Sequence, residues 1–447
     1  MNNKEISIQI LGGGPAGIST AYFASENDIK FKLYEAAYEL GGNCKTYNID
    51  DFYFDSGAHR FHDKDKRCTD LIKLMLQEDL KLIQVPSQIF INNKFIDFPL
   101  SPMSLIQVLG TKSVFIEILK LIKIQFNKKQ VTNFRDYAIS QYGEKISSMF
   151  LLDYSQKLWG SSCENLSVDI AGNRLKGLNF KSLIYELFGL GNKKIKHLDG
   201  SFYYPKYGIW SIFERMKEKA GSENFQINNR VTEIFHRQNE ITSIKINDRK
   251  VIEADIVVSS IPIDKLVKSL NPPPPKEIIE FTRFIKYRNL ILIIFLLNKK
   301  SVNNNGSMYF PSNEYVFTRI YEPKNRSNYM SPPDKTSLVV EIPVDSNETY
   351  KDDEISKLIS KIKNQLIKIG FFNNQEIIKV ESKYIRNAYP ILDTNYKKNL
   401  IPIKEYLSQF KNLILNGRNG KYEYNHIHDH IRDGRYISSL VMKNCNF

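Results

Sequence analysis

The sequence predicts an α/β protein in which a parallel-sheet domain, discontinuous along the chain, is interleaved with a mixed α+β domain that carries a helical insertion. Three observations predict it. The first 60 residues read as strand, tight Gly turn, helix and second strand. From about Asp65 to Lys196 the apolar residues fall mostly at helical spacing. Strand-like pieces return over 200–262 and 285–345, and a strand followed by a helix closes the chain after Asn412.

Ile6–Leu11 alternates as a strand does, Ala16–Glu26 has helical spacing, and Phe31–Tyr34 is a second strand. Within the helical insertion Val114–Phe126 is a long apolar-periodic stretch. Core packing is expected for it, ahead of the alternative that this basic amphipathic segment lies on a membrane. Ala254–Pro262 ends the first group of returning strands, and Pro272–Pro275 is a stiff break. Leu290–Leu297 is the longest apolar run. It is far shorter than the roughly 20 residues of a membrane span, so it reads as a buried strand. Asp352–Ile369 is helical, and Asn412–Gly417 is a short strand leading into the last helix. The expected parcelling is 1–65, 200–265 and 396–447 for the parallel-sheet domain, 66–199 for a helical cap, and 266–395 for a strand-rich substrate domain.

Of 447 residues, 42% are hydrophobic and 25% charged, values of a globular chain able to bury a large core together with a large ligand. The net charge of +14 is spread along a Lys-, Asn- and Ile-rich sequence, and no zinc-finger, RRM or basic-zipper signature goes with it. A nucleic-acid partner is therefore not expected, whereas a positive field that attracts an anionic small-molecule substrate is. Cys44, Cys68, Cys163 and Cys445 form neither a C-x-x-C pair nor a disulfide framework. The N-terminus moves straight into a strand without a secretory pattern. A reducing, cytoplasmic setting is the expectation. No His, Cys and carboxylate cluster has ligand spacing, so no metal is expected. Nothing in the sequence sets the oligomeric state.

Gly12-Gly13-Gly14-Pro15-Ala16-Gly17 fits G-x-G-x-x-G between a strand and a helix, the context that gives the motif meaning. Gly12 permits the tight turn, Gly14 lets the backbone approach a pyrophosphate, and Gly17 lets the helix pack near the strand. Pro15 and Ala16 open the helix, whose free N–H groups and positive dipole end favour an anion. Glu35, followed by Ala36, ends the second strand, where a carboxylate can accept from ribose hydroxyls. The reading is a Rossmann-like dinucleotide site.

Leu40-Gly41-Gly42-Asn43 resembles the L-G-G-R segment of the amine oxidase and protoporphyrinogen oxidase clan of flavoproteins, with Asn43 where many members carry Arg. In that clan the paired glycines pass beside the FAD pyrophosphate. No second G-x-G-x-x-G follows a strand, so the resemblance implies FAD without a separate NAD(P)H domain. Asp55-Ser-Gly-Ala-His-Arg-Phe-His62 resembles the G-A-H-x-F-H loop of UDP-galactopyranose mutase, whose first His lies by the flavin. Phe95–Leu100, Lys157-Leu-Trp-Gly160, Asn173-Arg174, Phe202–Gly208, Val231, Ala254–Pro262 and Asn387-Ala-Tyr-Pro390 are similar to further elements of that branch. So are Gly417–Asn425 and Asp429-His430, although Asn419 departs from the aromatic of the eukaryotic mutases. The resemblance covers nearly the whole chain. It implies an FAD-binding domain of the glutathione reductase and amine oxidase type.

Residue chemistry and resemblance together name the candidates. Gly12, Gly14, Pro15, Ala16, Gly17, Glu35, Ala36, Gly41, Gly42, Asn43, His59, Val231, Gly417 and Arg418 are expected at the cofactor. His59, Arg418 and Tyr424 are the expected catalytic residues. Trp159, Arg174, Tyr204, Tyr389 and Asn425 are expected to bind substrate, and His62 to support the loop of His59. The clan offers two reactions: hydride removal, as in the amine and protoporphyrinogen oxidases, and sugar-ring isomerisation, as in UDP-galactopyranose mutase. The second needs cations and tyrosines that grip a diphosphate, which Arg174, Arg418 and Tyr424 suit, and the loop of His59 favours that branch.

Overall fold

A computed structural model of the chain describes residues 6–126, 130–172 and 201–445. Strand β1 (Ser7–Leu11) buries every residue but its first. It does so because it lies at the centre of a five-stranded parallel sheet. The order is Leu413–Leu415, Ile256–Ser259, β1, β2 (Lys30–Tyr34) and Phe225–Gln226. Both ends of the chain and a middle segment thus build one sheet, as the discontinuous reading requires. Helix α1 (Pro15–Glu26) connects β1 to β2 and packs on the final helix, Ile427–Cys445. Gly434 makes that crossing close: a Cβ there would lie 2.7 Å from the Ser19 carbonyl carbon.

The chain leaves β1 towards β2 on one side and meets Ile256–Ser259 on the other. A strand order that reverses in this way opens a crevice at the carboxyl ends of the strands. Gly12 and Ser260, which follow the two strands, lie there.

Tyr287–Leu297 is buried at all eleven positions and pairs antiparallel with Thr336–Asp345 and Ile377–Pro390. Side chains alternate between faces. Ile291, Ile293, Phe295 and Leu297 pack towards Ile362 and Leu366 of the helix Asp352–Ile369. Leu290, Leu292, Ile294 and Leu296 pack with Phe52, Phe54 and Tyr321. Both faces are covered, which is why the sequence shows an unbroken apolar run there rather than alternation. The full sheet has seven strands.

The insertion is less helical than its spacing predicts. Lys66–Leu76, Thr111–Phe126, Phe134–Tyr142 and Asp153–Trp159 are helices, but Leu80–Gln84, Ser87–Ile91 and Lys94–Phe98 are strands. Ser87–Ile91 and Lys94–Phe98 form a local hairpin across Asn92-Asn93, both at positive φ, while the other pairings reach far along the chain. Leu80–Gln84 pairs with Ser201–Pro205, and Ser87–Ile91 joins the seven-stranded sheet through Ser307–Tyr309. Local periodicity could not report such pairings. Core packing of Val114–Phe126 holds for one face only: Val114 and Leu121 are buried, while Phe115, Leu119 and Phe126 are exposed. Among the described residues no helix is long and apolar enough to cross a membrane.

Candidate active site

The crevice widens into a cavity of about 1620 Å³. Ordinary pockets for drug-sized ligands are roughly 300–1,000 Å³, so there is room for a dinucleotide and a substrate together. At its floor Gly12 adopts φ +101°, which a side chain would strain, and a Cβ there would meet Ser260 Oγ at 2.5 Å. Gly14 and Gly42 face each other. A Cβ on Gly14 would lie 3.7 Å from Gly42 Cα, and one on Gly42, at φ +52°, would lie 3.0 Å from Gly14 Cα. Gly14 caps α1 without any side-chain hydrogen bond, and Pro15 stands at the helix start, so the first-turn N–H groups have no side-chain cap. Glu35 accepts from the N–H of Gly13 at 2.7 Å and of Ala37 at 2.8 Å, one to each carboxylate oxygen. Each oxygen keeps capacity for one more donor.

Gly12, Gly14, Pro15, Ala16, Glu35, Ala36, Gly42, Asn43, His59, Val231, Gly417 and Arg418 all line this cavity. Gly17 and Gly41 stand one step behind it. A Cβ on Gly17 would overlap the carbonyl oxygen of Gly12, and Gly41, at φ +110°, lies against the Trp210 ring. Asn43 does something its clan position does not foretell. Its Nδ2 donates to Asn387 O at 2.9 Å, and Asn419 Nδ2 donates to the same carbonyl at 3.1 Å. Asn387 has φ +51° and lies in an irregular stretch of the strand that carries Tyr389. The glycine loop is thereby tied to the opposite wall.

His59 is half-buried, and the backbone at and before it is fixed from two sides. Arg326 donates to its carbonyl at 2.9 Å, and Glu341 accepts from the N–H of Ala58 at 2.7 Å. Burial, reinforced by Arg418, Arg319 and Arg326, pushes the imidazole pKa down to about 3, so the ring is neutral near pH 7. His430, buried in the same cavity, is also pushed down to about 3 by burial and by Arg418. Glu341 grips Arg319 with both carboxylate oxygens at 2.8 Å. Burial disfavours the Arg319 charge, but this carboxylate outweighs it and raises the guanidinium pKa well above its ordinary value. Arg319, Glu341 and Arg326 were not among the sequence-predicted residues, because no motif surrounds them. Arg319 and Glu341 signal themselves only as charges inside strands with apolar neighbours, and Arg326 sits in a polar turn after Pro323–Asn325 that gives no signal at all.

On the far wall Tyr389 and Tyr424 stack at 6.2 Å between centroids, 16° from parallel, and Trp159 meets both edge-on at 5.8 and 6.0 Å. Arg418 lies over both tyrosines, 5.0 Å from the Tyr424 centroid. It donates to Asn425 O at 2.7 and 3.2 Å and to Ala388 O at 3.1 Å. Carbonyls orient this cation without neutralising it. Asn425 lines the cavity and contributes its main chain to that hold.

Two expected substrate residues are not part of this assembly. Tyr204 is a correction: it is 1% exposed, packs with Phe202 and Met330, and donates to Asp55 Oδ2 at 2.6 Å. Its strand, Ser201–Pro205, turns alternate residues inward, and Tyr204 falls on the core side. Arg174 lies outside the described residues.

Two cavity-lining atoms, Asn419 Oδ1 and His430 Nδ1, are buried with no hydrogen-bond partner among the described residues. Buried polar groups are rarely left so unless a ligand completes them. An uncapped helix start, a pair of facing glycines and a carboxylate at the end of β2 form a set that fits a dinucleotide. Residues 15–392 match the flavin containing amine oxidoreductase family. The chain belongs to that family. Its cofactor is FAD.

L-amino-acid oxidase of Crotalus adamanteus is 24% identical over 328 residues, 67% of this chain and 59% of the oxidase. Coproporphyrinogen III oxidase of Staphylococcus aureus is 22% identical over 326 residues, 67% of this chain and 69% of that enzyme. The chain thus spans about three fifths of the length of the first of these curated relatives. Among solved structures, reduced UDP-galactopyranose mutase superposes with a TM-score of 0.86 at 19% identity, covering 98% of this chain and 94% of the mutase. At that identity the likeness is one of fold.

Proposed function

We propose that this flavoprotein acts on an anionic substrate, and that the substrate is a nucleotide sugar handled as a UDP-galactopyranose mutase handles its own. The observation that carries the reading is the charge of the cavity. Among the described residues its lining holds nine Lys and Arg side chains, Arg60, Lys64, Arg230, Lys265, Lys268, Arg319, Lys383, Arg386 and Arg418, against three carboxylates, Glu35, Asp248 and Glu348. FAD supplies the electron-transfer and nucleophilic chemistry when bound. Arg418, whose hydrogen bonds among the described residues go to carbonyls, can attract a phosphoryl oxygen, and Trp159 with Tyr389 gives a planar group an aromatic wall. Tyr424 and Asn425 complete that wall, and Arg174 remains a proposed phosphate contact.

The proton inventory supports the same reading. His59 and His430 are held neutral, and burial pushes the phenol of Tyr154, another lining residue, above the ordinary tyrosine range. His59 therefore acts as a neutral dipole beside the cofactor rather than as an imidazolium acid. Such a site suits a reaction in which binding and electrostatics do most of the work and side chains transfer few protons.

A second reading is favoured by the near-parallel pair Tyr389 and Tyr424. With Arg418 above it, this pair forms a slot for an amino acid whose carboxylate meets the guanidinium, and the Crotalus relative is an L-amino-acid oxidase. One experiment separates the two. The holoprotein, reduced with dithionite without oxygen, is mixed with UDP-galactofuranose and the sugar products are separated. In parallel, the oxidised protein is given L-amino acids and amines under air and peroxide is measured. Isomerisation without net oxidation supports the mutase reading; peroxide without isomerisation replaces it with the oxidase.

A further inference from the structure

We propose that the helix Thr111–Phe126 is a docking face for an anionic lipid bilayer. The helix has two apolar sides. Val114 is buried in a small core with Leu105, Ile146 and Phe150, and Leu121 is buried on the same side. Turned away from that core are Phe115, Leu119, Ile122 and Phe126, with exposures from 40% for Ile122 to 85% for Phe126. Their spacing of i, i+4, i+7 and i+11 sets them in one stripe along the helix. Ile116, also exposed, widens it.

Charge selects the occupant. Lys112, Lys120 and Lys123 are exposed along the stripe. Glu117, the one acid of this helix, is buried and bound to Lys120 at 2.8 Å. Residues 102–130 hold five lysines and this single acid. An apolar stripe edged by lysines, with the acid turned inward, matches acyl chains beneath anionic headgroups. A second copy of the chain seated face to face would set the same lysines against one another. The small core under the helix includes Ile89 and Phe150, which also line the cavity, so docking would hold the site next to the lipid surface. This inference does not depend on which substrate the cavity takes.

The test is co-sedimentation of the FAD-loaded protein with vesicles of phosphatidylcholine alone or with phosphatidylglycerol added. Binding to the anionic vesicles is expected, weakening as salt is raised. Phe115→Ser combined with Leu119→Ser should lower it about tenfold or more, because it removes apolar area from the exposed stripe that would enter the bilayer. Lys112→Gln combined with Lys123→Gln should lower it while leaving the apolar face intact. Both pairs are exposed and lie outside the cavity, so flavin content and melting temperature report whether each variant is folded. Equal binding to both vesicle types, no binding to either, or variants that bind like the parent would overturn the proposal. So would light scattering that shows the Phe115/Leu119 variant separating a dimer into single chains.

Discussion

Gly14→Val separates cofactor binding from folding more cleanly than other changes at the cradle. Gly14 has φ −83° and ψ −176°, extended backbone that a valine adopts without strain. The nearest heavy atom to a Cβ there is Gly42 Cα at 3.7 Å, ordinary van der Waals contact. The empty protein should therefore tolerate the substitution, while the added methyl groups fill the gap between the facing glycines. If two main-chain N–H donors at the start of α1 lose their phosphate partner, each hydrogen bond to a charged group is worth about 1.5–3 kcal/mol. Together that is roughly 3–6 kcal/mol, or about 150- to 20,000-fold in dissociation constant. The assay is the visible flavin absorbance of purified protein, followed by calorimetric titration of the stripped protein with FAD. The melting temperatures of parent and variant, both without FAD, are compared alongside. A colourless variant that melts with the FAD-free parent is expected. A yellow variant carrying FAD at the parent's stoichiometry would refute the placement of the pyrophosphate between Gly14 and Gly42.

Tyr204→Phe should retain FAD and catalytic constants while losing about 1 kcal/mol of stability or somewhat more, since it leaves the buried Asp55 short of a donor; a changed KM with unchanged stability would return Tyr204 to the substrate site. Asn43→Ala should keep FAD but cost about 0.5–1.5 kcal/mol in denaturant unfolding, the worth of its bond to Asn387 O; loss of FAD instead would make Asn43 a cofactor ligand. His59 and His430 predict the direction of acid sensitivity. Unfolded, each takes up a proton as pH falls through about 6.5, whereas folded each resists until about 3. The unfolded state binds more protons across that window, so stability is full above it and declines as pH falls, by up to about 1.4 kcal/mol per group per pH unit. His59→Gln should flatten that decline in thermal melts taken from pH 7 to pH 4, and an unchanged slope would show that His59 does not carry it.

The cradle was legible because its chemistry is local. A glycine turn, a helix start and a strand-end acid lie within 24 residues, Gly12 to Glu35, and each demand is met by the residue type alone. Leu290–Leu297 was legible for a similar reason, since a strand covered on both faces must be apolar at every position. The three strands between Leu80 and Phe98 were not: Leu80–Gln84 and Ser87–Ile91 find partners across the fold, and the Asn92-Asn93 turn that joins Ser87–Ile91 to Lys94–Phe98 lacks the glycine that marks a hairpin most strongly. Tyr204 failed on register: one residue along a strand decides between cavity and core, and aromatic character is the same on either face. Arg319 and Glu341 were silent because a buried ion pair is made by residues 22 apart on neighbouring strands, with no spacing rule to expose it. The second apolar side of Thr111–Phe126 was visible as hydrophobicity but not as exposure. Only the packing of its neighbours shows which side is covered.

Every functional step above relies on FAD occupying the crevice where α1 begins. Native mass spectrometry of the freshly purified, unmodified chain tests this most directly. One molecule of FAD per chain, released on denaturation and taken up again when supplied to the refolded protein, is the expected result. A spectrum of bare chain alone, with no uptake from an excess of FAD, would contradict it.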